Sequence, residues 1–114
     1  MDEFCVFCKI RDGEIPGELL HQDNHCFVIR DINPMAPVHL LVIPLEHFAV
    51  LSEVETGLDQ VMGAMFDAAR NMAASEGVAE SGYRLVINQG RDGGQEVLHL
   101  HMHVMGGRRL GLPA

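Results

Sequence analysis

Apolar residues recur every three or four positions from about residue 54 to Ser75, which is the spacing of one helix face. Two possible capping boxes, one starting at Ser52 and the other at Thr56, leave the start of this helix open. Gly77 offers a left-handed cap at its end. The pattern predicts one long helix, whose apolar positions are Val54, Leu58, Val61, Met62, Met65, Ala69 and Met72.

The other apolar segments have the length and residue types of β-strands. Two of them, LLHQ and HCFVIRD, are separated by the turn residues DN and predict a hairpin. Three more strands are predicted by VHLLVIP, which ends at Pro44, by YRLVIN, and by EVLHLHMHVM. Near the N-terminus, FCVFCKIRDGEIPG predicts a short helical turn that Gly13 ends. Strands grouped around one main helix indicate an α+β fold with a mainly antiparallel sheet.

The chain has the size of one domain. Its 114 residues contain no repeat, linker or low-complexity segment, so we expect a single domain over residues 1–114. The net charge of −8 argues against a nucleic-acid partner, which would require a basic surface. A mononucleotide is still compatible with this charge, because one phosphate needs only local donors.

The first residues of the chain and the number of cysteines give an expectation for the cellular location of the protein. The opening MDEFC lacks the pattern of a signal peptide, and no apolar stretch is long enough to span a membrane. Three cysteines, an odd number, fit reduced thiols or metal ligands better than a disulfide scaffold. We therefore expect a cytoplasmic protein.

The segment HLHMHVM places histidines at every second position. In a strand, His99, His101 and His103 would share one face, opposite an apolar set of Leu98, Leu100, Met102 and Val104. The outer two Cα atoms would be roughly 13 Å apart, too far for the triplet to converge on one zinc ion. One alternative is a polar strand face that is merely rich in histidine. The other is catalysis, with the central His101 attacking phosphorus while its second ring nitrogen donates a hydrogen bond.

A glycine-rich segment, NQGRDGGQ, precedes the histidines. Glycines allow backbone N–H groups to approach phosphate oxygens, and Asn88 and Gln95 can add neutral donors. Such a segment can equally be a plain connection between strands. Its place next to the histidine face favours a phosphate site.

Three segments together, FCKIRDGEIP, RDINPMAPVHLLVIPLEH and GGQEVLHLHMHVMGG, resemble the histidine triad (HIT) family, most closely its Hint branch. The resemblance covers nearly the whole chain. It implies a five-stranded, mainly antiparallel sheet with one long and one short helix. It also implies a homodimer in which two sheets form a continuous ten-stranded sheet, with the main helix near the interface. Within the domain, residues 1–13 form the N-terminal turn with the C-x-x-C pair, residues 99–105 the triad strand and residues 106–114 a C-terminal tail.

The resemblance implies a nucleotide-binding hydrolase. Such an enzyme cleaves the P–N bond of purine nucleoside 5′-phosphoramidates, and it also hydrolyses aminoacyl adenylates. The reaction passes through a nucleotidyl-histidine and releases the nucleoside monophosphate without a catalytic metal. His101 matches the nucleophile, His99 and His103 its outer neighbours, and His39 a supporting histidine. The alternatives are a dinucleoside polyphosphate hydrolase or nucleotidyltransferase, and a zinc-stabilised nucleotide-binding protein without turnover.

The nucleotide-binding positions follow from the same resemblance. Asp31 matches a residue that accepts hydrogen bonds from the ribose hydroxyls. Glu96 stands where several Hint proteins have a serine, and a carboxylate there would either turn away from the phosphate or assist the leaving amine. The other matched positions are Ile32, Phe7 and Ile29 around the base, Asn88, Gln95, His101 and His103 toward the phosphate, and Val97 as a further nucleotide-binding residue.

The pair CVFC raises the question of a metal site. Two cysteines do not complete a zinc site, and the resemblance implies a structural zinc held by Cys5, Cys8, His47 and His99. A pair of buried reduced cysteines and a redox pair are the alternatives. Cys26, in an apolar strand, is expected in the core.

Overall fold

The computed structural model describes residues 5–112, so residues 1–4 of the predicted N-terminal turn and 113–114 of the predicted tail lie outside the described residues. A five-stranded antiparallel sheet has the strand order β1-β2-β3-β5-β4. The elements are α1 (Val6–Arg11), β1 (Leu19–Gln22), β2 (Cys26–Arg30), β3 (Val38–Pro44), a 3-10 turn (Leu51–Glu53), α2 (Leu58–Ser75), β4 (Tyr83–Val86) and β5 (Met102–Gly106). The predicted α+β class, the five strands and the two helices are confirmed.

The central strands are covered on both faces, because alternate side chains of β2 enter two different cores. Cys26 and Val28 pack with α2, whereas Phe27 and Ile29 pack with α1. Cys26 is therefore in the core, as expected. The core with α2 covers one face of the sheet and the core with α1 covers the other. Polar side chains can gather beside α1.

The long helix begins later than its apolar pattern predicts. Val54 has the predicted burial but an extended backbone, and the helix starts at Leu58. The N-cap is Gly57, which has a φ of 75° and makes no side-chain capping bond, so neither capping box forms. A left-handed backbone conformation at this position interrupts the helix, and glycine adopts that conformation without a Cβ penalty. At the other end Gly77, with a φ of 79°, ends the helix as predicted.

The last strand is shorter than predicted. It starts at Met102, and residues 96–101 have no regular structure. The β3 partners of β5 end with Val42 opposite Met102, and the N–H of Leu100 donates instead to the carbonyl of Phe48 at 2.6 Å. The chain leaves the ladder of hydrogen bonds here, but Leu100 stays buried like Met102 and Val104. Leu98, predicted to face the core, is 64% exposed.

The hairpin also differs by one residue. The predicted second strand includes His25, but the turn spans residues 23–25 and β2 starts at Cys26. Asp23 causes this, because its Oδ1 accepts the N–H groups of His25 at 2.7 Å and Cys26 at 2.9 Å. Within the described residues, no helix is both long and apolar enough to cross a membrane.

Candidate active site

A cavity of about 290 Å³ opens on the sheet face beside α1. Every predicted nucleotide-binding residue except Gln95 lines it. This cavity therefore brings together residues from five separate parts of the chain: Phe7, Ile29, Asp31, Ile32, Asn88, Glu96, Val97, His101 and His103.

One half of this cavity is apolar. Phe7 and Ile29 are buried, and Leu41 of β3 adds a third apolar wall. Ile32 is 91% exposed at the edge of the cavity and offers apolar surface there. The sequence did not single out Leu41, although the strand alternation of VHLLVIP places it on the same face as His39.

The other half of the cavity holds His101, whose ring orientation is fixed by one hydrogen bond. Its Nδ1 lies 2.7 Å from the carbonyl oxygen of His99. A carbonyl only accepts, so Nδ1 carries the proton and Nε2 keeps its lone pair. The edge of Phe7 packs against the ring, with centroids 5.1 Å apart. In the neutral tautomer that this bond selects, the Nε2 lone pair of His101 is the nucleophile.

His103 is held by His39 in a second hydrogen-bonded chain. The N–H of Met35 donates to His39 Nδ1 at 2.9 Å, so the proton of the neutral His39 is on Nε2. That Nε2–H donates to His103 Nδ1 at 2.9 Å. The proton of the neutral His103 must then be on its own Nε2. The chain of bonds turns His103 into a hydrogen-bond donor.

Burial keeps this pair of imidazoles neutral. Burial, with smaller effects of the nearby His101 and His39 and against the opposing effect of Asp31, lowers the pKa of His103 to about 4. The pKa of His39 is lowered by burial as well, against the opposing effect of Asp31. The carboxylate Oδ2 of Asp31 is 3.4 Å from His39 Nε2, while its Oδ1 accepts the N–H of Asn33 at 2.8 Å. Asp31 thus contacts His39 and lines the cavity together with His103.

Gln95 does not face the cavity. Its Oε1 accepts the N–H of Gly90 at 2.8 Å, and its Nε2 donates to the carbonyls of Ala49 at 2.7 Å and Val97 at 3.0 Å. These bonds occupy the amide in bracing the glycine-rich loop. The predicted contact between Gln95 and a phosphate is not supported by this arrangement.

Glu96 is exposed and lines the same cavity as Asp31. It thus does not turn away from the site altogether. The charged residues that line the cavity are therefore the carboxylates Asp31 and Glu96 and the guanidinium of Arg30.

His99 belongs to a different cluster from the other two histidines of the motif. It is fully buried, and its Nδ1 is 3.2 Å from Cys5 Sγ and 3.5 Å from Cys8 Sγ. All three rings nevertheless lie on the side of the sheet that faces α1, as predicted, because Phe7 packs against both His99 and His101, and His101 packs against His103. Through its side chain His99 faces the cysteines, and through its carbonyl it orients His101.

The four residues predicted to hold zinc do come together. The candidate ligand atoms of Cys5, Cys8, His47 and His99 all lie within 4.8 Å of one another. The His99 Nε2 lies 2.9 Å from the carbonyl of Pro44, so this nitrogen carries the proton and Nδ1 faces the sulfurs with its lone pair. His47 Nδ1 is 3.3 Å from Cys8 Sγ. Burial lowers the pKa of His99 to about 4, which keeps the ring in the neutral form that a metal requires.

Comparison with known proteins agrees with this geometry. The HIT domain model matches residues 12–110. The purine nucleoside phosphoramidase of Escherichia coli K12 is 45% identical over 111 residues, which are 97% of this chain and 93% of that protein. A HIT family hydrolase structure from Clostridium thermocellum superposes with a TM-score of 0.92 at 44% identity, covering 97% of this chain and 96% of that one.

A more distant structure contains a metal. It is a Zn-bound histidine triad family protein from Mycobacterium smegmatis, with a TM-score of 0.81 and 31% identity, covering 95% of this chain and 78% of that one. The matched family model spans most of the domain, and the relatives match over nearly the full length of this chain. The chain therefore belongs to the HIT family.

Proposed function

We propose that this protein hydrolyses the P–N bond of purine nucleoside 5′-phosphoramidates, and also aminoacyl adenylates, through a nucleotidyl group on His101. The observation that carries the proposal is the bond from His101 Nδ1 to the His99 carbonyl, which leaves Nε2 available beside a cavity lined by apolar and polar halves. A relative of 45% identity is named a purine nucleoside phosphoramidase.

The apolar and polar ends of the cavity set the orientation of a bound nucleotide. The base packs among Phe7, Ile29 and Ile32, where apolar surface is available. Asp31 accepts hydrogen bonds from the ribose hydroxyls. The phosphate then lies at the polar end, next to His101, His103 and Asn88.

In the first step, the lone pair of His101 Nε2 attacks phosphorus and forms the P–N bond of the intermediate. The P–N bond to the amine breaks, and its electron pair leaves with the amine nitrogen, which takes up one proton from water. His103 Nε2–H donates to a phosphoryl oxygen as charge develops there. Fixed donors of this kind supply a large part of the rate enhancement in such reactions.

In the second step, a water molecule attacks the same phosphorus. The electron pair of the P–Nε2 bond returns to His101, and the water gives up one proton. The proton taken up in the first step and the one released in the second balance. The product is the nucleoside monophosphate, and His101 regains its original tautomer through the His99 carbonyl.

The test combines turnover with detection of the intermediate. The purified protein is mixed with adenosine 5′-phosphoramidate and, in parallel, with a diadenosine polyphosphate. We expect faster release of AMP from the phosphoramidate, and a sample quenched with denaturant at alkaline pH, where the P–N bond to imidazole survives, in which a nucleotidyl group maps to His101. Turnover of the diadenosine compound alone would assign the protein to polyphosphate hydrolysis. AMP binding without turnover of either compound would make it a binding protein.

We propose further that the Cys–His cluster holds a structural zinc ion. Zinc–sulfur and zinc–nitrogen bonds of about 2.3 and 2.1 Å place adjacent ligand atoms of a tetrahedral site roughly 3.6 Å apart, close to the 3.2–3.5 Å separations present here. The Nε2–H of His99 donates to a backbone carbonyl, as ligating histidines generally do. Four protein ligands leave no open position, so the ion would stabilise the fold and take no part in the reaction.

We also propose the homodimer and the cytoplasmic location that the resemblance and the composition imply. The β1 edge carries an irregular register between Leu19 and His21, which disfavours pairing, whereas β4 is the other edge strand and pairs regularly with β5. A second copy joined through β4 would extend the sheet to ten strands. Leu58 and Phe66 of α2, both partly exposed, offer apolar surface to a partner. No disulfide joins the cysteines, which suits a reducing compartment.

A further inference from the structure

Residues 87–101 connect β4 to β5 and pass along the nucleotide cavity without forming a helix or a strand. Asn88 and Gly94 of this segment line the cavity, whereas Gln89 and Gln95 do not. The two glutamines are thus sequence neighbours of cavity residues, but their side chains are directed to other parts of the protein. A segment without regular structure needs other hydrogen bonds to fix its backbone, and these side chains supply several of them.

Gln95 closes the glycine-rich loop at its base. Its backbone N–H donates to the carbonyl of Gly90 at 3.0 Å, and its side-chain Oε1 accepts the N–H of Gly90 at 2.8 Å. These reciprocal bonds join the two ends of the turn that residues 91–94 form. The turn is tightly packed, because a Cβ at Gly93 would have no room beside the carbonyl oxygen of Gln89. The shape of the loop is therefore fixed by the protein itself.

Both glutamines also attach the loop to the segment that connects β3 to α2. Gln95 Nε2 donates to the carbonyl of Ala49 at 2.7 Å. Gln89 Oε1 accepts the N–H of Leu51 at 2.8 Å, and its Nε2 donates to the carbonyl of Asn88 at 3.0 Å. The backbone at the start and at the end of the loop is thus held by the same neighbouring segment.

The connection between β3 and α2 also holds the chain beside the nucleophile. The N–H of Leu100 donates to the carbonyl of Phe48 at 2.6 Å. Leu100 lies between His101 and His99, whose carbonyl orients the His101 ring. One segment therefore fixes the glycine-rich loop and the backbone at the nucleophile relative to each other.

We infer that Gln95 and Gln89 are positioning residues, which preform the phosphate end of the cavity and raise its affinity for a phosphate that they do not contact. This inference rests on the part of the proposed function that puts a phosphate next to Asn88. Both N–H groups of the Gln95 amide already have acceptors, so its donors serve the loop. A loop that is ordered before binding loses less conformational entropy when the phosphate binds.

The test compares the binding of AMP and adenosine, which differ only in the phosphate. Gln95→Met removes three side-chain hydrogen bonds without adding charge. Titration calorimetry should show an increase of about tenfold or more in the Kd of AMP, and a change of less than about twofold for adenosine. Gln89→Met should act in the same direction by a smaller factor. Gln22→Met, at an exposed position of β1, is the matched control and should change neither Kd.

A second measurement distinguishes positioning from direct contact with the phosphate. Amide hydrogen exchange of residues 88–97 in the ligand-free protein should become faster in Gln95→Met and Gln89→Met, because the loop loses bonds that hold it. A side chain that only contacted the phosphate would leave this exchange unchanged. A side chain that only stabilised the fold would weaken the binding of AMP and adenosine equally. Either result would overturn the inference.

Failure of this inference is distinguishable from failure of the proposed function. An unchanged ratio of the two Kd values in Gln95→Met would overturn the inference while turnover of the phosphoramidate stands. Equal affinities of the unaltered protein for AMP and adenosine would also overturn it, since no phosphate affinity would exist to be raised. Tight AMP binding that depends on Gln95, without turnover of the phosphoramidate, would support the inference and overturn the proposed hydrolysis.

Discussion

His99 and His101 are two positions apart in one motif, yet they present opposite ring nitrogens to their surroundings. His99 gives its Nε2–H to the Pro44 carbonyl and turns Nδ1 toward two sulfurs. His101 gives its Nδ1–H to the His99 carbonyl and keeps the lone pair on Nε2. One arrangement suits a metal ligand and the other a nucleophile.

The difference shows that backbone carbonyls, rather than the imidazoles themselves, decide the role of each histidine. An imidazole has two similar nitrogens, and the hydrogen bond made by one of them fixes which atom remains reactive. The two clusters can therefore be separated by experiment, although a single short segment supplies both.

The largest effect is expected from His101→Ala. Removal of the nucleophile should lower kcat for an adenosine phosphoramidate by at least about 10³-fold. Metal content, measured by elemental analysis, should stay the same because this ring is outside the Cys–His cluster. His25→Ala, in the exposed hairpin turn, is the control. Near-normal turnover by His101→Ala would show that another group attacks phosphorus.

The next largest effect is expected from Cys8→Ser, which alters the Cys–His cluster that contains His99. The metal content should fall from about one zinc per chain to far less, and the free energy of unfolding should decrease by about 3 kcal/mol or more. The loss of kcat should be smaller than in His101→Ala. Cys26→Ala is a matched control, because Cys26 is equally buried but lies in the α2 core. Unchanged metal content in Cys8→Ser would contradict the proposed zinc site.

A smaller effect is expected from His39→Ala. The change removes the donor that fixes the tautomer of His103, and kcat should fall by roughly 10- to 100-fold, as for other residues that act through a neighbour. KM should change less than kcat, since His39 does not line the nucleotide cavity. His21→Ala, whose partner Asp23 is in the hairpin, serves for comparison. A change confined to thermal stability would reduce His39 to a packing role.

The smallest effect is a pH dependence of stability that comes from the buried histidine pair. The pKa of His103 is about 4 in the folded protein, against an ordinary value of 6.5. Between these values the unfolded chain binds more protons, so the free energy of unfolding should decrease as the pH falls from about 6.5 toward 4. Urea unfolding at several pH values measures this slope. His103→Asn should reduce this slope without abolishing it, because His99 and His39 contribute in the same direction, and His25→Asn should leave it unchanged. Equal slopes for the two variants would contradict the assignment.

Much of the architecture and both histidine clusters were predictable from sequence. The apolar period of α2 is a local feature of the sequence, whereas the four residues of the Cys–His cluster follow from the resemblance to the HIT family. The start of α2 was not predictable in this way, because a left-handed Gly57 overrides an apolar pattern that continues through Val54. The early end of sheet pairing at Met102 depends on β3, which is far away in the sequence.

The contacts of the polar residues around the sites were also not predictable from the sequence. Gln95 fits a phosphate contact by type and position, but its amide is used by three backbone groups of its own loop and the neighbouring segment. Gln89 and Leu51 are 38 positions apart in the printed sequence and meet only in the folded chain. No local pattern signals such a meeting.

The bond from His101 to the carbonyl of residue 99 has a consequence for how such proteins diverge. Every amino acid has a backbone carbonyl, so the acceptor persists when the side chain at position 99 changes. A lineage can lose its cysteines and the histidine at this position and still retain the reactive tautomer, provided that the peptide unit keeps its place. Structural metal and catalysis are thus free to evolve at different rates within a few consecutive residues.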